Sequence, residues 1–428
     1  MNKRAFAYYL LIMFVFPVLS LAHGLRSNLG MKFKRKLLIV FITIYGSVIT
    51  ISESNDGFRH QERVYSHYVD LSFVDFFSEI FDILFFRGNP NINDDLYIHI
   101  ISYLTGGVLG MPWLFFIVVS FVYAYFFSGS LFKVINLRKG VKYKWYVYGF
   151  VVIFILWKNI EGINTVRTWT GLWVLFYACI SYYTTKKKKY LLLMFTPPLI
   201  HVGYFIMAIP AWLVLILGVR HKMFIILLIL SFSTTILNPQ IVLSQLEKTE
   251  TGQNKIRGYY VEEERTSSEL IEEYAQNTWY KRFYALGVQN LGVNLLAFVV
   301  IGLGVYRLNL NTLEAHLFSI GILTKALSNV TWFLTAVSNR SGLISGLFIL
   351  ACIVLFLLRN NSTDLQSKRL KLFNNLIKIG VLIFVPFFIY KIADMIYFIS
   401  VYMLAFPFIS WFADNTNYSI REFLGLFI

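Results

Sequence analysis

The feature that most constrains this sequence is the return of long apolar runs along its whole length. They fall at 5–22, 37–51, 112–132, 145–157, 168–183, 190–219, 223–237, 285–306, 315–337, 342–358, 373–390 and 395–412. A helix needs roughly 20 residues to cross about 30 Å of hydrocarbon, and most of these runs meet or approach that length. Backbone amides must be satisfied inside lipid, which leaves helices or a closed barrel. Barrel strands alternate apolar and polar residues, whereas Ile226-Leu227-Leu228-Ile229-Leu230 does not alternate. The expected fold class is therefore all-α. The chain reads as a polytopic integral membrane protein of about 11–13 transmembrane helices, with 1–428 as a single membrane domain.

A net charge of +16 would suit nucleic acid if it were spread over one surface. Instead the basic residues bunch in short gaps between apolar runs, as membrane topology demands. The clusters are Arg26, Lys32, Lys34, Arg35 and Lys36; Lys133, Arg138, Lys139, Lys142 and Lys144; Lys186 to Lys189; Arg220 and Lys222; and Arg359, Lys368, Arg369 and Lys371. Each is read as a cytoplasmic anchor, and no nucleic-acid partner is expected. Cys179 and Cys352 both sit inside apolar runs, as packing residues do, and imply neither a disulfide framework nor a metal site.

With the clusters inside, 52–111 becomes a first external loop and 238–284 a second. The first is acidic, and its amphipathic, aromatic stretch 71–86 is expected to lie along the membrane interface. The second contains Thr266-Ser-Ser-Glu269, a capping box opening a helix to about 283. Its aromatics (Tyr259, Tyr260, Tyr274, Trp279, Tyr280, Tyr284) suit either sugar stacking or an interfacial belt. Run 190–219 is broken by Pro197-Pro198 and flanked by basic residues, so it reads as a short helical hairpin whose turn, near His201, approaches the external face. Run 5–22 is read as a retained helix with an external N-terminus. Segment 395–428 suits either a crossing or an interfacial tail.

Ionisable residues in apolar runs are costly and point to function. Asn164, Arg167 and Gly171 share the spacing i, i+3, i+7, which on one helix gives a polar, small-residue stripe. An arginine there either forks onto a phosphate or carboxylate, pairs with Glu161, or snorkels. His201 suits either a structural hydrogen bond or catalysis. Arg340, in Ser338-Asn339-Arg340-Ser341, and Arg59, beside His60, fall on the same external side. Lys325 lies near the middle of its run, where an unpaired cation costs about 2.5–3.5 kcal/mol on insertion scales. It should therefore face a wet cavity or a carboxylate. Lys391 and Asp394, spaced i, i+3, suit a mutual pair. There is no Walker A, Gly-x-Ser-x-Gly, His-Glu-x-x-His or Cys-x-x-Cys sequence. Adjacent Asp94-Asp95 is too little to define a divalent-ion site, and no metal or cofactor is expected.

Glu161-Gly-Ile-Asn-Thr-Val-Arg167-Thr-Trp, Lys186-Lys-Lys-Lys-Tyr-Leu-Leu-Leu and Leu199-Ile-His201 together resemble the core signature of the EpsG family, Wzy-type polymerases of bacterial O-antigen and exopolysaccharide. Asp56-Gly-Phe-Arg59-His60, Tyr65, Tyr68, Asp95-Leu-Tyr-Ile-His and Ser338-Asn-Arg340 add to the match, which covers roughly 35–360. Thr168 stands where the family more often has glutamine or serine. The resemblance implies a GT-C-like glycosyltransferase in the bacterial inner membrane, with its active face periplasmic. Its substrates would be oligosaccharide repeat units on undecaprenyl diphosphate, surrounded by membrane lipids. A flippase and a chain-length regulator stand as candidate partners. The growing chain would leave its carrier and join the non-reducing end of the incoming unit. Arg167 and Arg340 are expected on the diphosphate, with Arg59, Asn164 and Lys325 as further binding residues. Asp56, Glu62, Asp95 and His201 are the candidate bases. Alternatives are a lipid-linked oligosaccharide flippase, or another membrane transferase such as an O-antigen ligase or O-acyltransferase.

Overall fold

A computed structural model of the protein describes residues 3–51, 56–87, 95–135, 141–233, 244, 291–303, 308–360, 368–412 and 418–426. The second external loop expected from the sequence, with its capping box and aromatics, lies outside the described residues except for Ser244. Among the described residues the fold is all-helical, with one isolated β-bridge, Ser400 to Ser419.

The helices are α1 (Lys3–Val15), α2 (Pro17–Arg26), α3 (Met31–Ser47), α4 (Asp56–Arg63), α5 (Phe73–Leu84), α6 (Leu96–Tyr103), α7 (Phe115–Val134), α8 (Trp145–Trp157), α9 (Thr168–Thr185), α10 (Lys188–Leu193), α11 (Pro197–Ile200), α12 (Tyr204–Met207), α13 (Ile209–Leu217) and α14 (His221–Leu230). They continue with α15 (Val293–Gly302), α16 (Thr312–Val330), α17 (Thr335–Asn360), α18 (Lys368–Ile383), α19 (Val385–Phe398) and α20 (Ile420–Gly425). Among the described residues four stretches are long and apolar enough to cross a membrane by length and composition: Pro112–Val134, Trp145–Thr165, Ala336–Asn360 and Lys371–Phe398. Five others are apolar but shorter, among them Leu96–Val108 and Tyr204–Leu217.

Prolines explain part of the difference from the sequence expectation. Pro17 lacks an amide hydrogen and splits the first run into α1 and α2, so it is not one continuous helix. The two halves touch where Ser20 Oγ donates to Tyr9 O at 2.7 Å. Pro197-Pro198 and Pro210 break 190–219 into α10 to α13, shorter than the two arms of a simple hairpin.

Buried aromatics join the bundle, with Trp157, Trp173, Tyr123, Phe154 and Phe176 among the largest fully buried side chains. Trp157 Nε1 donates to Leu343 O at 2.8 Å, joining α8 to α17. Helices α16 and α17 pack antiparallel. Asn311 and Glu314 form a capping box at the start of α16, and the buried Glu314 also receives Arg359 from the end of α17, at 3.0 and 2.7 Å.

The basic clusters gather at one end of the bundle. Arg35, early in α3, lies over Tyr125 of α7 at 4.7 Å, and Lys133 and Arg35 both flank Tyr177 of α9. Tyr183 of α9 packs on His316 of α16 with ring centroids 4.0 Å apart, beside Lys186. The opposite ends of α9 and α17 carry Arg167 and Arg340.

Candidate functional site

Asp95 occupies the N-cap position of α6, where an aspartate ordinarily accepts from the amides of its own helix. Here the carboxylate makes no such bond. It pairs instead with Arg167, accepts from the Val202 amide at 2.7 Å and meets His201 Nδ1 at 3.3 Å. On the far side of the ring, Arg340 Nη1 lies 3.0 Å from His201 Nε2. A guanidinium can only donate, so Nε2 accepts and Nδ1 carries the hydrogen toward Asp95. The chain of contacts therefore runs from Arg167 through Asp95 and a neutral His201 to Arg340, and it joins four segments far apart in sequence.

Each member is held by local structure. Residues 160–165 form a 3-10 turn rather than the first turns of α9, so Asn164 and Arg167 do not share a helical stripe with Gly171 as the spacing suggests. The break is at Val166, with φ +53° and ψ −60°, and Arg167 N donates back to Thr165 O at 2.5 Å. This is a γ-turn of the rare positive-φ kind, strained for a β-branched residue. Arg167 is the residue that follows the strained position.

The turn is fastened from several sides. Asn159 caps it through the Glu161 amide at 3.1 Å, and Tyr123 OH donates to Asn159 O. Glu161 pairs with Lys391 of α19, which also reaches Asp394 at 3.2 Å. The mutual pair expected from the sequence is thus part of a larger cluster, and Glu161 answers Lys391 where the sequence also allowed Arg167. His201 is placed by α12, whose Tyr204 OH donates to Thr168 O at 2.7 Å. A β-carbon on Gly171 would stand 2.5 Å from the Tyr204 ring, so Gly171 serves helix docking.

Helix α4 brings Asp56 and Arg59 to the same place, and these two pair with each other. A β-carbon on Gly57 would lie 2.7 Å from Asn164 O, so α4 rests directly on the 160–165 turn. Burial opposes ionisation of Asp56, but Arg167, Arg59, His60 and Arg340 outweigh it and hold its carboxyl below the usual range. Burial likewise opposes the charge on Asp95, and Arg167, His201 and the Val202 amide hold its carboxyl well below that range. Asn164 is buried and its Oδ1 has no hydrogen-bond partner. Glu62 is exposed on α4.

The structure thus brings Asp56, Arg59, Asn164, Arg167, Asp95, His201 and Arg340 to one end of the bundle. Lys325 is set apart on α16, 5% exposed, with no carboxylate or hydrogen-bond partner among the described residues. Sequence reasoning missed Val166, Tyr204 and the Glu161–Lys391 link. The last had a signal in a glutamate and a lysine both placed in apolar surroundings. Among the described residues no group of three or more His, Cys, Asp or Glu could hold a metal ion. Asp94 lies outside the described residues. No protein-family model, curated protein or solved structure matches the chain.

Proposed function

We propose that the protein is a polytopic inner-membrane glycosyltransferase of the GT-C-like kind. On this reading it polymerises O-antigen or exopolysaccharide from repeat units carried on undecaprenyl diphosphate. The observation that carries the reading is the chain Arg167–Asp95–His201–Arg340 at the end of the bundle opposite the basic clusters. If the basic clusters mark the cytoplasmic side, as such clusters do in inner-membrane proteins, this mouth would open to the periplasm, which supports the reading.

Two tasks define the reaction. The acceptor hydroxyl must lose its proton as its oxygen bonds to the anomeric carbon of the growing chain. The bond from that carbon to the diphosphate must break, releasing undecaprenyl diphosphate. Arginine suits the second task, since its charge is permanent and its fork matches phosphoryl oxygens. Among the described residues, Arg59, Arg167 and Arg340 meet Asp56, Asp95 and His201 at this mouth, so guanidiniums stand where phosphoryl oxygens would be received.

His201 suits the first task. Among the described residues its Nε2 is engaged by Arg340 alone. When Arg340 turns to the diphosphate, Nε2 is released to accept the hydroxyl proton, and Asp95 stabilises the imidazolium from Nδ1. We therefore assign Asp95 to positioning, because a carboxylate held in its ionised form by Arg167 is a poor proton acceptor.

The test is deletion of the gene and a gel of cell-surface polysaccharide. Core carrying a single repeat unit supports a polymerase. Bare core points to a flippase or ligase, and polymer of unaltered length to an acyltransferase. Complementation with Arg167→Ala or Arg340→Ala should leave the single-unit ladder, whereas long polymer from both variants overturns the clamp.

A further inference from the structure

Among the buried cations outside the candidate site, Lys158 lies over the Trp169 ring and Lys391 pairs with Glu161, while Lys325 is set apart from both. Lys325 is 5% exposed, and among the described residues its ammonium has neither an ion pair nor a hydrogen bond. Its position follows from the register of α16 against α17. Ser328 Oγ donates to Ser338 O and Ser338 Oγ to Ser328 O, both at 2.8 Å, while Ser345 Oγ donates to Gly321 O at 2.7 Å. Lys325 is three residues back from Ser328 and four on from Gly321, so it lies on the same helical stripe facing α17. The helices run antiparallel, so the level of Lys325 is three residues on from Ser338, at Ser341.

Ser341 is fully buried, and among the described residues its Oγ has no hydrogen-bond partner. Beside it the seam is open: a β-carbon on Gly342 would meet nothing within 4 Å except Ser328 Oγ, at 3.3 Å. A buried donor cation and a buried hydroxyl, level with each other across a small-residue seam and without partners among the described residues, are donors that suit an anion. Arg340 precedes Ser341 by one residue, about 1.5 Å along the helix axis. Along α17 the seam lies on the inner side of Arg340, toward the middle of the bundle.

We propose that Lys325 and Ser341 receive a second phosphoryl group of the ligand whose first is taken by Arg167 and Arg340. The ligand class is a lipid-linked diphosphate. The phosphate bonded to the lipid lies nearer the hydrocarbon than the phosphate bonded to the sugar, and Lys325 lies on that side of Arg340. The inference rests on the reading of the arginines as a phosphate clamp.

The experiment measures binding of undecaprenyl diphosphate and undecaprenyl monophosphate to the full chain in phosphatidylcholine nanodiscs, repeated with phosphatidylglycerol added. Wild type should prefer the diphosphate by about tenfold or more, the discrimination that one well-placed charged contact supplies. Lys325→Met should narrow the preference to about twofold, Ser341→Ala should reduce it in part, and Lys325→Arg should restore it. Arg340→Lys should weaken both ligands. Among the described residues Lys325 has no partner to lose, so Lys325→Met is expected to fold, and unchanged thermal unfolding of that variant makes its binding readable. A preference retained in Lys325→Met overturns the second position and leaves the clamp standing. Wild type that binds neither ligand overturns both. Displacement by phosphatidylglycerol as effectively as by undecaprenyl diphosphate assigns the seam to ordinary anionic lipid and overturns the diphosphate.

Discussion

Asp95 opens helix α6 but gives its carboxylate to Arg167, 72 residues on, rather than to the amides of its own helix. A helix start forgoes its cap, worth about 1 kcal/mol in ordinary settings, so that a guanidinium can be held in a buried place. The Asp95 side chain is fully buried and that of Arg167 is 13% exposed. The first prediction concerns this pair.

Asp95→Asn removes the charge and keeps the shape. Removing one partner of a buried ion pair costs about 3–5 kcal/mol, because the other is left uncompensated. The thermal midpoint of the detergent-purified protein should drop accordingly. Polymer formed in complemented cells should fall by about 100-fold or more, the effect of misplacing a reactive group by about 1 Å. A variant with wild-type midpoint and wild-type polymer would contradict the positioning role.

The same carboxylate sets an acid limit. Its folded-state pKa is depressed, so its stabilisation is complete above the unfolded value near 3.9 and is lost as pH falls from there toward the folded one. Asp56 acts in the same direction. Between pH 7 and 5 these two groups should leave stability flat, with a decline beginning only below about pH 4. Unfolding curves of wild type and Asp95→Asn should converge on acidification. A wild-type advantage that stays constant to pH 2 would contradict the assignment.

Val166 offers a test of stored strain. Its positive φ costs about 1–3 kcal/mol, and a glycine there adopts the turn freely. The side chain is fully buried, and deleting it forfeits about 1.5–3 kcal/mol of burial. The two effects offset, so Val166→Gly should change stability by no more than about 2 kcal/mol. Activity should fall more than stability, since a glycine no longer fixes the direction of Arg167. Chemical denaturation and polymer length measured side by side decide it, and an activity loss no larger than the stability loss would count against the strain argument.

Gly57→Ala places a methyl 2.7 Å from a backbone oxygen that cannot turn aside. Helix α4 must move off the 160–165 turn, at a cost of about 1–3 kcal/mol for such overpacking. Asp56 then shifts relative to Arg167 and Arg340. Gly30→Ala, whose β-carbon meets nothing within 4 Å, is the control and should behave as wild type. Equal behaviour of the two variants would show that α4 does not rest on the turn.

Helix α5 carries Phe73, Phe77, Phe81 and Phe85 in line at its surface, at 66, 45, 56 and 66% exposure, while Phe76, Glu79 and Ile83 face inward. Such a face suits the acyl boundary of a membrane. Phe81→Trp should therefore fluoresce at short wavelength and be quenched by lipids brominated high on the chain. Quenching by aqueous iodide alone would place the helix in water.

Much of this arrangement was legible in the sequence because it depends on one-dimensional patterns. The bunching of Arg35, Lys133, Lys186 and Arg359 between apolar runs separates one end of the bundle from the other, and Arg167, His201 and Arg340 follow by counting. The Pro197-Pro198 break put His201 at a turn, where it is found. Other features left no such trace. Asp95 could not be ranked among the acidic residues of its loop, since its partners stand 72 and 106 positions away. The γ-turn at Val166 contradicts the residue's own preference and is held by tertiary contacts, those of Tyr123, Lys391 and Asn159 among them. The spacing of Asn164, Arg167 and Gly171 misled, because periodicity cannot reveal where a helix is interrupted by tertiary contacts.

The fastening of α16 to α17 bears on speed. Glu314 with Arg359 secures one end and the paired serines Ser328 and Ser338 secure the other, so the two helices travel as a single rigid unit. On the proposed reading, Arg340 would change partner by rotating its own side-chain bonds rather than by a slow rearrangement of α16 against α17, so arrival of the ligand, and not helix motion, would limit its capture at this mouth.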